Sequence, residues 1–145
     1  VADMERVRAN VVSKERQLVD ARGPKGRWHG THPEPRKDVR MGRIPGSLSV
    51  PWASLVTPER TLKGEEEIRA IFKESGVDLQ GPLMVSCGTG VTACTLALSL
   101  LQVGVMPEQL AMYDGSYLEW ATTPENVVMK DGPDGGEVEV PFASS

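Results

Sequence analysis

The chain has 145 residues, 39% of them hydrophobic and 25% charged, and its formal net charge is −4 at pH 7. This length is typical of one compact domain, and the apolar share is sufficient for a core without disulfide bonds. The acidic balance argues against a protein that binds nucleic acid or a membrane surface, because such proteins normally carry a basic face. We therefore expect a globular protein whose partners include neither.

The chain contains two cysteines, Cys87 and Cys94. If both lie on one helix, about two turns and roughly 10 Å separate them, which is too far for a disulfide. We therefore expect a reducing compartment, cytoplasmic or mitochondrial. His29 and His32 have no cysteine or carboxylate at suitable ligand spacing, so the sequence predicts no metal site, and no cofactor is expected.

Short apolar segments bounded by polar and turn residues predict strands over 16–22, 47–52, 82–87 and 109–115. Helices are predicted over 65–78 and 92–104, and a short one from 116 to 121 that Ser116 or Asp114 caps. Between the first two strands, residues 23–46 contain four prolines and five glycines. A loop this long inside a compact domain is usually functional or disordered.

The segment 65–78 has the clearest amphipathic pattern. Ile68, Ile71 and Phe72 form an apolar stripe, and the acidic residues 65–67 begin the helix, where they favour its dipole and face solvent. Gly76 is well placed to follow the end of the helix in a left-handed conformation.

Strands that alternate with helices predict an α/β domain with a mostly parallel central sheet flanked by helices. We assign residues 1–129 to this domain. Residues 130–145, which are rich in Gly, Asp and Pro, are expected to form a flexible C-terminal tail. Ligands of such sheets bind beyond the carboxyl ends of the strands, and Cys87 lies at such an end.

The loop that follows this strand reads CGTGVT over residues 87–92. Two glycines allow successive N–H groups to turn toward one centre, and the next helix adds the positive end of its dipole. Both would stabilise a Cys87 thiolate and lower its pKa below the ordinary value of about 8.5. The alternative, a small core cysteine, is disfavoured by the glycines and the strand end. The expected cradle consists of Gly88, Thr89, Gly90, Val91 and Thr92.

Two chemistries use a cysteine in such a cradle. A cysteine phosphatase needs an arginine six residues after the nucleophile to balance the phosphoryl charge, and Ala93 occupies that position. Sulfur transfer instead holds a small anionic sulfur as a persulfide, for which backbone donors suffice. The loop therefore favours sulfur transfer.

Several separated motifs resemble the rhodanese superfamily, and they occur in the same order. The loop CGTGVTA (87–93) is similar to the neutral active-site loop of its 3-mercaptopyruvate sulfurtransferases, whereas thiosulfate-preferring members carry basic side chains at the positions of Gly88 and Thr89. The family usually has His at the position of Arg43 and Trp at the position of Tyr117. The other similar segments are VDARG (19–23), GRIPGSLSVP (42–51) and YDGSYLEW (113–120). The resemblance implies a rhodanese-like fold and the C-terminal, catalytic domain of such enzymes.

The long loop contains GRWHGTHPEPR (26–36), which resembles a family segment whose two arginines hold the substrate carboxylate. The resemblance implies this role for Arg27 and Arg36, and planar guanidinium groups are well suited to carboxylates. The alternative is that both arginines are solvated loop residues.

The resemblance implies an enzyme that moves the sulfur of 3-mercaptopyruvate through a Cys87 persulfide to thioredoxin, another thiol acceptor or cyanide, and releases pyruvate. It also implies an N-terminal rhodanese-like domain as a partner, because enzymes of this family place the active site between two such domains. Two alternatives stay open: a thiosulfate sulfurtransferase of the same fold, and a non-catalytic rhodanese module with a regulatory or binding role.

The remaining candidates have simpler interpretations. Cys94 is expected inside the apolar helix as a small core residue. Trp28, Trp52 and Trp120 are expected to be packing residues, and His29 is expected in the loop, where it can line the pocket.

Overall fold

The computed structural model describes residues 2–86 and 91–142 and contains a parallel four-stranded sheet of order β2-β1-β3-β4. Its strands are β1 (Gln17–Asp20), β2 (Leu48–Ser49), β3 (Leu83–Ser86) and β4 (Leu110–Met112). At the carboxyl end of β1, Asp20 pairs with Ser49 on one side and with Ser86 on the other. The predicted α/β fold with a parallel sheet is confirmed.

The helices of the described residues follow the strands in chain order, with one helix before β1. They are α1 (Met4–Ser13), α2 (Gly26–His29), α3 (Glu65–Glu74), α4 (Val91–Gln102) and α5 (Ser116–Thr122). The described residues also form two 3₁₀ turns, Trp52–Leu55 and Pro107–Gln109, which lie in the connections. None of these helices is long and apolar enough to cross a membrane.

Both faces of the sheet are covered. Successive side chains of a strand point to opposite sides, so neighbouring residues pack into different clusters. On one face, Val19 of β1 packs in a core cluster with buried residues of α3 and α4. On the other face, Leu18 belongs to a second cluster with buried residues of α1 and α5, among them Trp120. The apolar runs of the strands therefore reflect burial on both sides.

The predicted α3 agrees closely with the structure. Ile68 and Phe72 are buried, and the acidic first turn is exposed. Gly76 has a φ of +85°, as the sequence predicts for a residue that follows a helix end.

Two local predictions were wrong. The strand predicted over 47–52 is shortened to Leu48–Ser49, because β2 is an edge strand and Pro51 has no N–H to extend the pairing. The cap of α5 is Gly115, which makes no side-chain cap bond, and Ser116 lies inside the helix with a φ of +60°.

A β-hairpin stands where the sequence predicts the beginning of a flexible tail. Strands β5 (Met129–Asp131) and β6 (Glu137–Glu139) pair antiparallel, so the predicted domain boundary at residue 129 falls inside β5. Arg43 joins the hairpin to the long loop through two backbone hydrogen bonds with Met129. The alternation in 137–140 is the signal for this hairpin, while the flexibility of the tail stays a prediction.

Ionic contacts reinforce the attachment of the hairpin. Arg43 donates to Asp131 at 2.8 Å and to Glu137 at 3.0 Å, and His29 contacts the other Asp131 oxygen at 2.6 Å. The hydrogen bond from Arg43, followed by that from His29, holds the pKa of Asp131 below its ordinary value. A carboxyl group with a lowered pKa contributes stability above its ordinary pKa, and this contribution is lost as the pH falls through the lowered value.

We predict that Asp131→Asn weakens the attachment of the hairpin. Hydrogen exchange at Met129 and Val140 should become faster at neutral pH, whereas the global free energy of unfolding should fall by less than about 1 kcal/mol, because the carboxylate is 38% exposed. Asp134→Asn, in the exposed turn of the same hairpin, is the matched control. Equal exchange in both variants would contradict the role given to Asp131.

Candidate active site

The candidate site lies at the carboxyl ends of β1 and β3. The N–H of Ala21 donates to the Ser86 carbonyl at 2.7 Å, so the last residue of β3 lies beside Ala21. The predicted Cys87, Gly88, Thr89 and Gly90 lie outside the described residues. Val91 and Thr92, also predicted for the cradle, begin α4, so a strand precedes the loop and a helix follows it.

Among the described residues at this edge of the sheet, Arg22 is heavily hydrogen-bonded, and its side chain is 0% exposed. Its Nε and Nη2 donate to the two oxygens of Asp20 at 3.1 and 2.8 Å, and its Nη1 donates to Glu34 at 3.1 Å. Nη2 also donates to the Gly42 carbonyl, and the guanidinium carbon lies 3.6 Å from the ring centre of Tyr117. Arg22 thus joins β1, the long loop and α5.

The charges around Arg22 compensate one another. Burial acts to lower the pKa of Arg22, but the nearby Asp20 and Glu34 outweigh burial, so the pKa is raised above its ordinary value. Burial also raises the pKa of Tyr117, whose hydroxyl donates to the Arg40 carbonyl at 2.5 Å. Arg22 is therefore a permanent cation, and Tyr117 stays a neutral hydrogen-bond donor.

Arg27 lies in α2 and is bound by Glu34, a residue of the long loop. Its Nε and Nη2 donate to the two carboxylate oxygens of Glu34 at 3.2 and 2.8 Å, and its Nη1 donates to the Gly23 carbonyl at 3.3 Å. Glu34 is 3% exposed and accepts from both Arg22 and Arg27. One buried carboxylate therefore fixes both arginines.

Arg36 is held in a similar way but in solvent. Its Nε and Nη2 donate to the two oxygens of Asp38 at 3.0 and 2.5 Å, and its side chain is 57% exposed. The hydrogen bond from Arg36 holds the pKa of Asp38 below its ordinary value. Exposed pairs of this kind contribute little stability, so Arg36 is free to reorient.

The two predicted arginines line one cavity of about 140 Å³. Its other lining residues are Glu34, Pro35, Val39, Tyr117 and Leu118. The cavity therefore combines two guanidinium groups with an apolar wall, a combination that can hold a small carboxylate whose other end is uncharged.

The structure adds residues to the site that the sequence did not single out. Arg22, Glu34 and Tyr117 belong to motifs quoted for the resemblance, VDARG, PEPR and YDGSYLEW, so the motifs were the signal. Their mutual contacts were not visible, because the residues are far apart in the chain.

Two other sequence expectations are corrected by their surroundings. His29 does not line this cavity; it contacts Asp131 and lies edge-on to Trp28 with ring centres 4.9 Å apart. Cys94 is exposed rather than buried, because it lies on the solvent side of α4. Within residues 2–86 and 91–142, no group of three or more histidine, cysteine or acidic side chains is placed to hold a metal ion.

Comparison with protein families identifies this arrangement. The model of the rhodanese-like domain matches residues 3–123, which is most of the chain. The chain therefore belongs to the rhodanese family.

Individual relatives are similar over most of this chain. Human 3-mercaptopyruvate sulfurtransferase is 41% identical over 126 residues, which are 86% of this chain and 41% of the human protein. Mitochondrial thiosulfate/3-mercaptopyruvate sulfurtransferase 1 of Arabidopsis thaliana is 43% identical over 122 residues, or 84% of this chain and 31% of that protein. The crystal structure of SseA, a 3-mercaptopyruvate sulfotransferase from Escherichia coli, aligns with a TM-score of 0.66 and 39% identity, covering 80% of this chain and 41% of that one. The chain spans about two fifths or less of these proteins.

We predict that Arg22→Met lowers the free energy of unfolding by about 3 kcal/mol. The substitution leaves the Asp20 carboxylate buried without its cation, and buried pairs are costly to break. Urea denaturation measures the loss, with Arg36→Met as the matched control, since that substitution breaks an exposed pair and should cost far less. Similar losses in the two variants would contradict the structural role of Arg22.

Proposed function

We propose that this chain is the catalytic domain of a sulfurtransferase that uses 3-mercaptopyruvate as its sulfur donor. The observation that carries the proposal is the cavity lined by Arg27 and Arg36, whose wall residue Tyr117 packs on Arg22 beside the end of β3. Cys87 follows that strand directly in the sequence. A donor that binds its carboxylate to the arginines can direct its sulfur toward the cysteine.

The proposed reaction transfers one sulfur atom in two steps. The Cys87 thiolate attacks the donor thiol, so a sulfur–sulfur bond forms and the donor carbon–sulfur bond breaks. The electron pair of the broken bond passes to the carbon and gives the enolate of pyruvate, which takes up a proton. The N–H groups of the 88–92 loop stabilise the persulfide, and the Thr89 hydroxyl assists proton movement.

The second step restores the cysteine. A thiolate of the acceptor, thioredoxin or another thiol, attacks the outer sulfur of the persulfide and takes it, leaving Cys87 as a thiolate. A second thiol, from the same dithiol acceptor or from another thiol molecule, then attacks the inner sulfur and forms a disulfide, and the outer sulfur leaves as sulfide. Cyanide replaces the thiol in vitro and leaves as thiocyanate.

Thiosulfate is the second candidate donor. Two arginines bind small anions in general, and the A. thaliana relative is named for both donors. Thiosulfate would bring a second anionic group close to the cysteine, and Gly88 and Thr89 supply no cation for it there. The uncharged loop therefore favours 3-mercaptopyruvate as the donor. The intact cysteine and both arginines argue against a non-catalytic module.

The whole protein is proposed to contain a second, N-terminal rhodanese-like domain. This chain spans about two fifths of the human relative, and the described cavity is open to solvent, so another domain would exclude water and help to position the donor. A reducing compartment, cytoplasm or mitochondrion, is proposed for it, since the reaction requires a thiolate.

We predict that the chain gains the mass of one sulfur atom during brief exposure to 3-mercaptopyruvate and loses it again with a reducing thiol. Cys87→Ser should abolish the gain and leave the circular dichroism spectrum unchanged, because the substitution removes only the nucleophile. Cys94→Ser is the matched control and should still gain the sulfur. Retention of the gain in Cys87→Ser would remove Cys87 from the mechanism.

We also predict that Arg27→Ala and Arg36→Ala raise the 3-mercaptopyruvate concentration for half-maximal sulfur loading by at least about tenfold. Each loses a charge-assisted hydrogen bond to the carboxylate, which is worth about 1.5–3 kcal/mol. Lys37→Ala, an exposed cation between Arg36 and Asp38, should change this concentration less than about twofold. Equal losses with thiosulfate and 3-mercaptopyruvate would refute carboxylate recognition.

A further inference from the structure

Some N–H groups of the Arg27 guanidinium bind other residues of the protein, and the others are left for the cavity. Glu34 accepts from the side edge of the guanidinium, formed by Nε and Nη2, and the Gly23 carbonyl accepts from Nη1. A guanidinium has five N–H groups, and one on Nη1 and one on Nη2 point together from its outer end. This outer fork is the edge that a bound carboxylate can use.

Glu34 is itself fixed rather than adaptable. Its side chain is 3% exposed, and its Oε2 accepts from Nη1 of Arg22 at 3.1 Å, while Arg22 is completely buried. The guanidinium groups of Arg22 and Arg27 thus both bind the Glu34 carboxylate, Arg22 through Oε2 and Arg27 through both oxygens. The direction in which Arg27 presents its outer fork is therefore set by Glu34.

Glu34 also sets the charge of the cavity wall. Arg22 and Arg27 carry two positive charges, and Asp20 and Glu34 carry two negative ones, so the cluster has no net charge. Arg27 then offers directional hydrogen bonds without a strong net attraction for anions. Such a wall favours a planar monocarboxylate over a dianion, whose binding depends more on net charge.

Arg36 shows what the same contact does when it is exposed. Asp38 occupies the same side edge, but both side chains are more than half exposed. Solvent screens this pair, so Asp38 neither fixes its partner nor sets the cavity charge to the same degree.

We infer that Glu34 is a positioning and specificity-determining residue. It orients Arg27 for a monocarboxylate donor and lowers the affinity of the cavity for dianions. This inference rests on the proposed function, because Glu34 affects the donor only through the contact between Arg27 and the donor carboxylate.

The test uses direct binding to the 145-residue chain, with pyruvate as the monocarboxylate and sulfate as the dianion. Nuclear magnetic resonance titration, followed at the Arg27 Nε–H, gives both dissociation constants. In Glu34→Gln, pyruvate should bind about tenfold more weakly, and sulfate should bind about threefold more tightly. Glu34→Asp keeps the charge but shortens the side chain, so it should weaken pyruvate binding without the gain for sulfate.

Controls separate this effect from a general structural one. Glu74→Gln removes the same charge from the exposed side of α3 and should change neither constant by more than about twofold. Near-ultraviolet circular dichroism checks that each variant is folded. A purely structural role of Glu34 would weaken pyruvate and sulfate together, and that result would overturn the inference.

The remaining outcomes distinguish the inference from the proposed function. If Arg27→Ala abolishes pyruvate binding while Glu34→Gln leaves both constants unchanged, the inference fails and the carboxylate site stands. If Arg27→Ala leaves pyruvate binding intact, or the unaltered chain binds neither probe at the cavity, the carboxylate site fails and the inference fails with it.

Discussion

The buried guanidinium of Arg22 is the interaction on which the site depends. It compensates Asp20 at the end of β1, reaches Glu34 in the long loop and lies against the ring of Tyr117 in α5. A buried cation is costly unless several acceptors surround it, so these segments are arranged about one side chain. The loop that carries Arg27 is therefore ordered by the sheet, although it contains little regular structure of its own.

The sheet and its helices could be predicted because their signals are local. The apolar run of 82–86 and the stripe that includes Ile68 and Phe72 reflect burial that each segment experiences by itself. The loop and its bonds could not be predicted in this way. Glu34 and Arg22 are twelve residues apart and separated by glycines and prolines, so periodicity carries no information on their contact.

The prediction for Cys94 was wrong. Cys94 was expected in the core because its helix is apolar throughout, yet such a helix still has a side that faces away from the sheet, and Leu98 on that side is exposed as well. Composition alone predicts a flexible tail over 130–145, and it carries no information on the bonds between Arg43 and the hairpin; the flexibility of the tail stays a prediction. The sequence motifs indicate Arg27 and Arg36 as residues of the candidate site. Only the structure shows their carboxylate partners, Glu34 and Asp38.

The attachment of the hairpin to Arg43 has a consequence for the order in which the molecule is completed during synthesis. The contact between Arg43 and Glu137 spans 94 positions of the chain, and Arg43 also bonds the backbone of Met129. A nascent chain that has emerged only as far as α5 already contains every strand of the parallel sheet. It lacks the hairpin, whose residues bind Arg43 in the loop that carries both arginines. The loop of residues 23–46 therefore gains its contacts with the hairpin only after residues 129–139 have been synthesised, later than its contacts with the sheet.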